Sequence, residues 1–178
     1  MKRPVLSLLR LGFLGALGAW VFDRWLDQQG TAAVTQPIRT QVTISAPIER
    51  VWAILADIER QPEWMHDLKT VRLLTPGPVG VGTRATGRVQ AFGVAVEDPI
   101  EITAFDAPAH FALRHEGLFK GSGDIRLASE PDGWTTVTWE EVLVPPVLPH
   151  LGRALLGLVF RPIFQRDLER LAGLAEVG

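Results

Sequence analysis

The chain has 178 residues, of which 47% are hydrophobic, and this size and composition indicate one folded domain with its own core. With 18 basic and 20 acidic residues the formal net charge is only −2, so no overall positive field attracts nucleic acid. The chain has no cysteine, which excludes disulfides, thiolate nucleophiles and zinc sites with cysteine ligands. We therefore expect neither a nucleic-acid partner nor a cysteine-based site.

The chain begins with a long apolar segment. Residues 4–22 carry a single charge, and as a helix they would be about 28 Å long, close to the roughly 30 Å of a bilayer's hydrocarbon. Trp20 and Trp25 would then lie near one membrane interface. The pattern predicts that residues 1–26 form a single-pass membrane anchor that contacts the membrane through residues 4–22. A cleaved signal peptide and a helix lying flat in the interface are the alternatives.

A small and polar segment follows the apolar one. Residues 27–37, "DQQGTAAVTQP", are typical of a linker, and we predict that it joins the anchor to a domain over residues 38–178. Lys2, Arg3 and Arg10 lie at the start of the chain, and cations are retained on the cytoplasmic side of a membrane. The anchor interpretation therefore predicts a membrane location with the domain on the extracytoplasmic side.

The domain begins with a strand followed by short helices. Apolar and polar residues alternate from Ile38 to Ile44, which predicts a half-buried strand. Ser45 is placed to cap the next helix, and Pro47 suits its first turn. Apolar residues at helical spacing extend that helix over 51–58, and a second short helix is predicted over 59–65.

The remaining pattern changes from strands to a long helix. After Asp67, turn signals separate six or seven short segments, which indicates an antiparallel meander. The last 30 residues return to helical spacing, and Pro162 is expected to interrupt and kink that helix. A strand, two short helices, a meander and a long carboxy-terminal helix together predict an α+β helix-grip fold, in which a curved antiparallel sheet surrounds the last helix.

Several segments of this domain resemble a known family. The segments "APIERVWAILADIERQPEWMHDLKTVRLL", "GVGTRATGRV", "IEITAFDAP", "GDIRL", "DGWTTVTWEE" and "LERL" resemble the START-like SRPBCC group, which includes polyketide cyclase/dehydrase-like and coenzyme-Q-binding proteins. The resemblance covers about residues 38–176. It implies the helix-grip scaffold around a cavity, and because the contents of that cavity vary within the group, it implies no particular ligand.

Strand alternation predicts which face of the sheet looks inward. One face should be apolar and meet the last helix, while the other should be charged and face water, with opposite charges paired across strands. The residues of the predicted charged face are Arg84, Arg88, Glu97, Glu101, Arg114, Glu116, Asp124 and Arg126.

Two polar residues interrupt the predicted apolar face. His115 is in phase with Phe111 and Leu113, and Glu141 is in phase with Trp139. A buried carboxylate is costly unless it is paired or protonated, so the histidine is a candidate partner. The two residues are interpreted as an anchor for a ligand head group, as an acid/base pair, or as strand-end residues in contact with water or backbone.

Other motifs do not indicate catalysis. Gly80, Gly82 and Gly87 have the wrong spacing for a dinucleotide fingerprint, and "KGSGD" lacks the spacing of a nucleophile elbow. The four histidines have no metal-ligand spacing, so we predict neither a metal nor a cofactor.

We therefore predict a membrane-tethered, non-enzymatic protein that binds a lipid, an isoprenoid quinone or a similar hydrophobic molecule in an apolar cavity. The segment "VLPHLGRALLGLVFRPIF" is the candidate gate. One alternative is a polyketide cyclase/dehydrase-like enzyme that uses His115 and Glu141 for proton transfer. Another is a structural or partner-binding membrane protein. The predicted ligand-binding residues are Trp64, Val89, Val96, Leu113, His115, Trp139, Glu141, Leu155 and Val159.

Overall fold

A computed structural model describes residues 3–28, 36–91, 93–145 and 148–177 of the chain. In these residues three α-helices and one short 3-10 helix accompany seven strands. The elements are, in chain order, α1 (Arg3–Gln28), β1 (Ile38–Ile44), α2 (Ile48–Leu55), the 3-10 helix (Gln61–Glu63), β2 (Leu68–Leu73), β3 (Arg84–Ala91), β4 (Val94–Asp106), β5 (His110–His115), β6 (Lys120–Ser129), β7 (Thr135–Val144) and α3 (Pro149–Glu176).

The seven strands form one antiparallel sheet in the order β1-β7-β6-β5-β4-β3-β2. Strands β2 to β7 are therefore sequential neighbours, as short turns between antiparallel strands require. Strand β1 pairs with β7 from Ile38 opposite Glu141 to Ile44 opposite Thr135. The chain crosses from one edge of the sheet to the other through α2 and the 3-10 helix, and this confirms the predicted α+β helix-grip architecture.

The core lies between the concave face of the sheet and the helices. Leu168 and Leu171 of α3 are fully buried, as are Val51 and Leu55 of α2, and all four belong to one cluster with Trp139 of β7. Each fully buried side chain of this size contributes about 1.5–3 kcal/mol through removal of apolar area from water. The second half of α3 is therefore held firmly against the sheet.

The predicted Ser45 cap is wrong, and so is the predicted interruption of α3 at Pro162; the kink expected there stays a prediction. Ser45 does not cap α2: the N-cap residue is Pro47, which makes no side-chain cap bond, and the Ser45 backbone N–H donates to the Glu176 carboxylate over 2.9 Å. Pro162 lies inside α3, which continues past it to Glu176. Because Pro162 lies on the exposed side of the helix, water can solvate the carbonyl that lacks its N–H partner.

The amino-terminal helix contacts the start of α3. Asp23 of α1 is 2% exposed, and its Oδ1 accepts the backbone N–H groups of His150 over 3.0 Å and Leu151 over 2.8 Å. Helix α1 extends to Gln28, beyond the predicted boundary at residue 26. Over the residues described, none of the helices has the length and hydropathy that crossing a bilayer requires. The domain boundaries stay predictions.

Candidate functional site

A cavity of about 550 Å³ lies between the inner face of the sheet, the 3-10 helix and α3. This volume is within the range of small-molecule binding sites. All nine residues predicted to bind a ligand line this cavity, although their contact with a ligand stays a prediction. The structure therefore brings together in one cavity residues that are distant in the sequence, such as Trp64 and Val159, which are 95 positions apart.

The apolar walls of the cavity follow from the alternation of apolar residues in the strands and from their helical spacing in α3. Alternate residues of the strands point inward, and Val89 of β3, Val96 of β4 and Leu113 of β5 form part of the sheet wall. Residues at helical spacing on α3 form the opposite wall, including Val159 and Phe160. Three further lining residues are 55–63% exposed, which indicates that the cavity reaches the surface near them; these are Val94, Leu118 and Leu155.

The cavity wall contains one compact polar group, formed by Asp98, His115 and Glu141. The His115 Nδ1 atom lies 2.6 Å from Asp98 Oδ2, and the His115 Nε2 atom lies 2.8 Å from Glu141 Oε1. The second oxygen of Glu141 accepts the indole N–H of Trp139 over 2.9 Å. We call Asp98, His115 and Glu141 the acid–histidine–acid group. Only a histidine that carries both protons can donate to both carboxylates.

The two carboxylates keep His115 protonated. Burial disfavours the imidazolium, but the hydrogen bonds and charges of Asp98 and Glu141 outweigh that effect and raise the pKa of His115 to about 10. Glu141 is only 3% exposed, so its carboxyl group lies away from water against these partners. At neutral pH His115 is therefore a cation shared by two carboxyl groups.

Strand β6 lies between His115 and Glu141, and its residues opposite them are glycines without side chains. His115 of β5 pairs with Gly121, and Glu141 of β7 pairs with Gly123, so the two side chains approach each other over β6. A Cβ atom at position 123 would lie 2.8 Å from Glu141 Oε2, which is closer than real Cβ contacts allow. Glycine at position 123 therefore leaves the Glu141 carboxylate the space that it occupies beside His115 and Trp139.

Two members of this group, His115 and Glu141, were predicted from the sequence, and the third, Asp98, was not. Asp98 is in phase with Val96 and Ile100 on the inner face of β4, so alternation alone would have placed it in the cavity. His115 is the last residue of β5, as the strand-end interpretation expected, but it bonds to Glu141, a contact which that interpretation did not include.

A second set of polar residues lines the cavity near the 3-10 helix. Asp167 of α3 is 2% exposed and accepts the backbone N–H of His66 over 2.9 Å. Burial raises the pKa of Asp167 above its usual range, against the lowering effect of that hydrogen bond, and the nearby charge of Asp67 raises it further. Among the described residues the Trp64 indole N–H and Asp67 Oδ2 have no hydrogen-bond partner. The described residues contain no group of histidine and carboxylate side chains that could hold a metal ion.

A seven-stranded antiparallel sheet with a long carboxy-terminal helix over a cavity defines the protein as a START-like helix-grip domain. The model of the family described as "Polyketide cyclase / dehydrase and lipid transport" matches residues 35–176. The chain therefore belongs to this family. No protein with a curated description matches the chain.

Solved structures of similar proteins agree with the fold. A protein from Thermus thermophilus is 22% identical with a TM-score of 0.64, and the match covers 80% of this chain and 99% of that one. The Zhui aromatase/cyclase from a Streptomyces species is 22% identical with a TM-score of 0.65, over 79% and 93% of the two chains. A START superfamily protein from Mycobacterium smegmatis is 17% identical with a TM-score of 0.63, over 79% and 97%. At these identities the likeness supports the fold alone.

Proposed function

We propose that this protein binds a lipid or similar hydrophobic small molecule in the cavity and carries or presents it without chemical change. The observation that carries the proposal is the cavity of about 550 Å³, whose walls are apolar except for a few placed polar groups. Burial of the apolar body of a ligand supplies the affinity in such sites, and the polar groups orient it. The family description, which includes lipid transport, supports the same function.

The state of His115 favours binding over proton-transfer catalysis. A general base needs a free lone pair and a pKa near the working pH. Both ring nitrogens of His115 face carboxylates, and its pKa of about 10 leaves it protonated at neutral pH. Glu141, the other residue of the cyclase/dehydrase alternative, already accepts hydrogen bonds from His115 and Trp139 through its two oxygens.

We also infer that α1 associates with a membrane surface. Large apolar side chains of α1 are 45–53% exposed, a surface that is costly in water and typical of interfacial helices. Tryptophan is enriched where membrane meets water, and two of these residues are tryptophans. The side of the membrane stays a prediction. The exposed residues are Leu17, Trp20, Val21, Phe22 and Trp25.

Binding of the neutral lipophilic dye N-phenyl-1-naphthylamine tests the cavity directly. We expect saturable fluorescence enhancement with the full chain, and a loss of at least about tenfold in affinity when Val96→Trp fills the cavity. Ala95→Trp is the matched control, because Ala95 is the next residue on β4, is exposed, and does not line the cavity. Absence of saturable binding, or equal binding by the two variants, would contradict the proposed function.

A further inference from the structure

The ionisable groups that line the cavity are almost all acidic. Among the described lining residues, His115 is the one basic side chain, and neither lysine nor arginine is present. The cation of His115 is already shared by two carboxylates. An anionic ligand would therefore meet no unshared cation among these described side chains. The acidic lining residues are Asp67, Glu97, Asp98, Glu141 and Asp167.

The acid–histidine–acid group offers hydrogen-bond acceptors to a ligand and no donors. Both N–H groups of His115 bond to carboxylates, and the Trp139 N–H bonds to Glu141. Trp64 is fully buried, so its indole N–H is not accessible from the cavity. A carboxylate, a phosphate or a quinone carbonyl needs a donor, and the described side chains of His115, Trp139 and Trp64 offer it none. A group that donates hydrogen bonds finds carboxylate lone pairs.

Aromatic rings lie beside the acid–histidine–acid group. The Trp139 and Phe164 ring centroids are 4.6 Å apart, and those of Phe164 and Phe160 are 5.6 Å apart. All three rings line the cavity, and Trp139 is bonded directly to Glu141. Aromatic faces attract cations, most strongly where water is excluded. Carboxylates next to aromatic rings form an environment suited to an ammonium group.

We propose that the ligand of this cavity is a lipophilic amine, bound as its ammonium ion with the charged head at Asp98 and Glu141 and the apolar body along α3. The ammonium group places a positive charge beside the two carboxylates of the acid–histidine–acid group and donates to their oxygens. This inference rests on the proposed function, because it specifies the class of molecule that the same cavity accepts.

Displacement of N-phenyl-1-naphthylamine by three matched probes tests this specificity. Decylamine, decanol and decanoate share the same alkyl chain and differ in the charge of the head group at neutral pH. We expect decylamine to displace the dye at a concentration at least about tenfold lower than decanol, and decanoate to be the weakest. The full chain is used for every measurement.

Neutralising Asp98 tests whether the preference comes from the acid–histidine–acid group. Asp98→Asn removes one of the two carboxylates, and we expect it to abolish most of the advantage of decylamine over decanol. Glu140→Gln is the matched control and should retain that advantage, because Glu140 pairs with Arg39 away from the cavity. If Asp98→Asn does not fold, Glu141→Gln provides the same charge change.

The outcomes separate the two proposals. If the dye shows no saturable binding, the proposed function fails and the amine specificity fails with it. If the dye binds but decanol or decanoate displaces it as well as decylamine does, the cavity binds lipophiles and the amine specificity alone is wrong. An amine preference that survives in both Asp98→Asn and Glu141→Gln would also overturn the assignment to this group.

Discussion

Replacing His115 by glutamine removes the cation that lies between two carboxylates of the cavity wall. The His115 side chain is 16% exposed, and those of Asp98 and Glu141 are 19% and 4% exposed. Glutamine can still donate one hydrogen bond, but it cannot compensate two negative charges. Breaking a buried ionic group by removing one member typically costs about 3–5 kcal/mol, because the remaining charges stay buried without a partner.

The pKa of His115 gives an independent magnitude for this stabilisation and the direction in which it changes with pH. A rise from 6.5 to about 10 on folding corresponds to roughly 5 kcal/mol of stabilisation. The folded state retains this proton at pH values where the unfolded state has lost it, so the stabilisation is complete below pH 6.5. It declines by about 1.4 kcal/mol per pH unit as the pH rises toward 10.

Urea unfolding followed by tryptophan fluorescence at about pH 6, 8 and 10 measures this effect. We expect His115→Gln to lower the free energy of unfolding by about 3–5 kcal/mol at pH 6, and by progressively less at higher pH. Taking the difference between the two proteins at each pH cancels the titration of all other groups. A difference that does not change from pH 6 to 10 would refute the assigned protonation of His115.

His110→Gln is the matched control for this experiment. His110 lies on the same strand but does not line the cavity, and it also faces two carboxylates, with Nε2 2.9 Å from Asp124 and Nδ1 3.5 Å from Asp106. Because the Asp106 side chain is 77% exposed and that of Asp124 34% exposed, we expect a loss of only about 0–1 kcal/mol. An equal loss in both variants would show that cavity burial is not the cause.

Three further predictions concern other parts of the fold. Gly123→Ala should lower the free energy of unfolding by about 1–3 kcal/mol in urea, because its Cβ collides with the Glu141 carboxylate. Asp23→Ala should cost about 0.5–2 kcal/mol and speed hydrogen exchange at the start of α3, because two amides lose their acceptor. The double variant Trp20→Ser and Trp25→Ser should reduce sedimentation of the full chain with phosphatidylcholine vesicles by at least about threefold.

Matched controls separate each of these effects from a general loss of stability. A Cβ atom at position 173 in α3 would have no neighbour within 4 Å, so Gly173→Ala should stabilise the fold by about 0.5–1 kcal/mol. If Gly123→Ala and Gly173→Ala both destabilised the fold, the steric argument for Gly123 would be contradicted. Trp134→Ser removes a tryptophan that is 46% exposed on the β6–β7 turn and should leave vesicle binding unchanged. Unaltered exchange of the α3 amides in Asp23→Ala would exclude the capping role.

Periodicity in the sequence was sufficient to predict the sheet and the cavity. Alternation placed Val89, Val96 and Leu113 on the inner face, and both His115 and Glu141 on it as well. These assignments depend only on the period of a strand, which is independent of the rest of the fold. The contact between His115 on β5 and Glu141 on β7 depends on how the strands pair. The sequence therefore supported this contact only as one of several interpretations.

Predictions that depended on a local motif were less successful. Ser45 has the right type and position for a helix cap, but its backbone bonds to Glu176 of α3, so a tertiary contact replaced the local one. Pro162 was expected to interrupt α3, but it lies on the exposed side of that helix. Asp23 caps α3 from 127 residues away, and no pattern near either residue indicates this contact.

The Asp23 contact affects how the binding domain should be studied. A chain shortened to begin at residue 38 would retain every residue that lines the cavity, yet it would lack the acceptor for the His150 and Leu151 amides. Those amides begin the part of α3 that contains Leu155, at the surface end of the cavity. Ligand affinities measured on such a fragment would therefore describe a protein whose cavity entrance has lost part of its support, and they would differ from those of the whole chain.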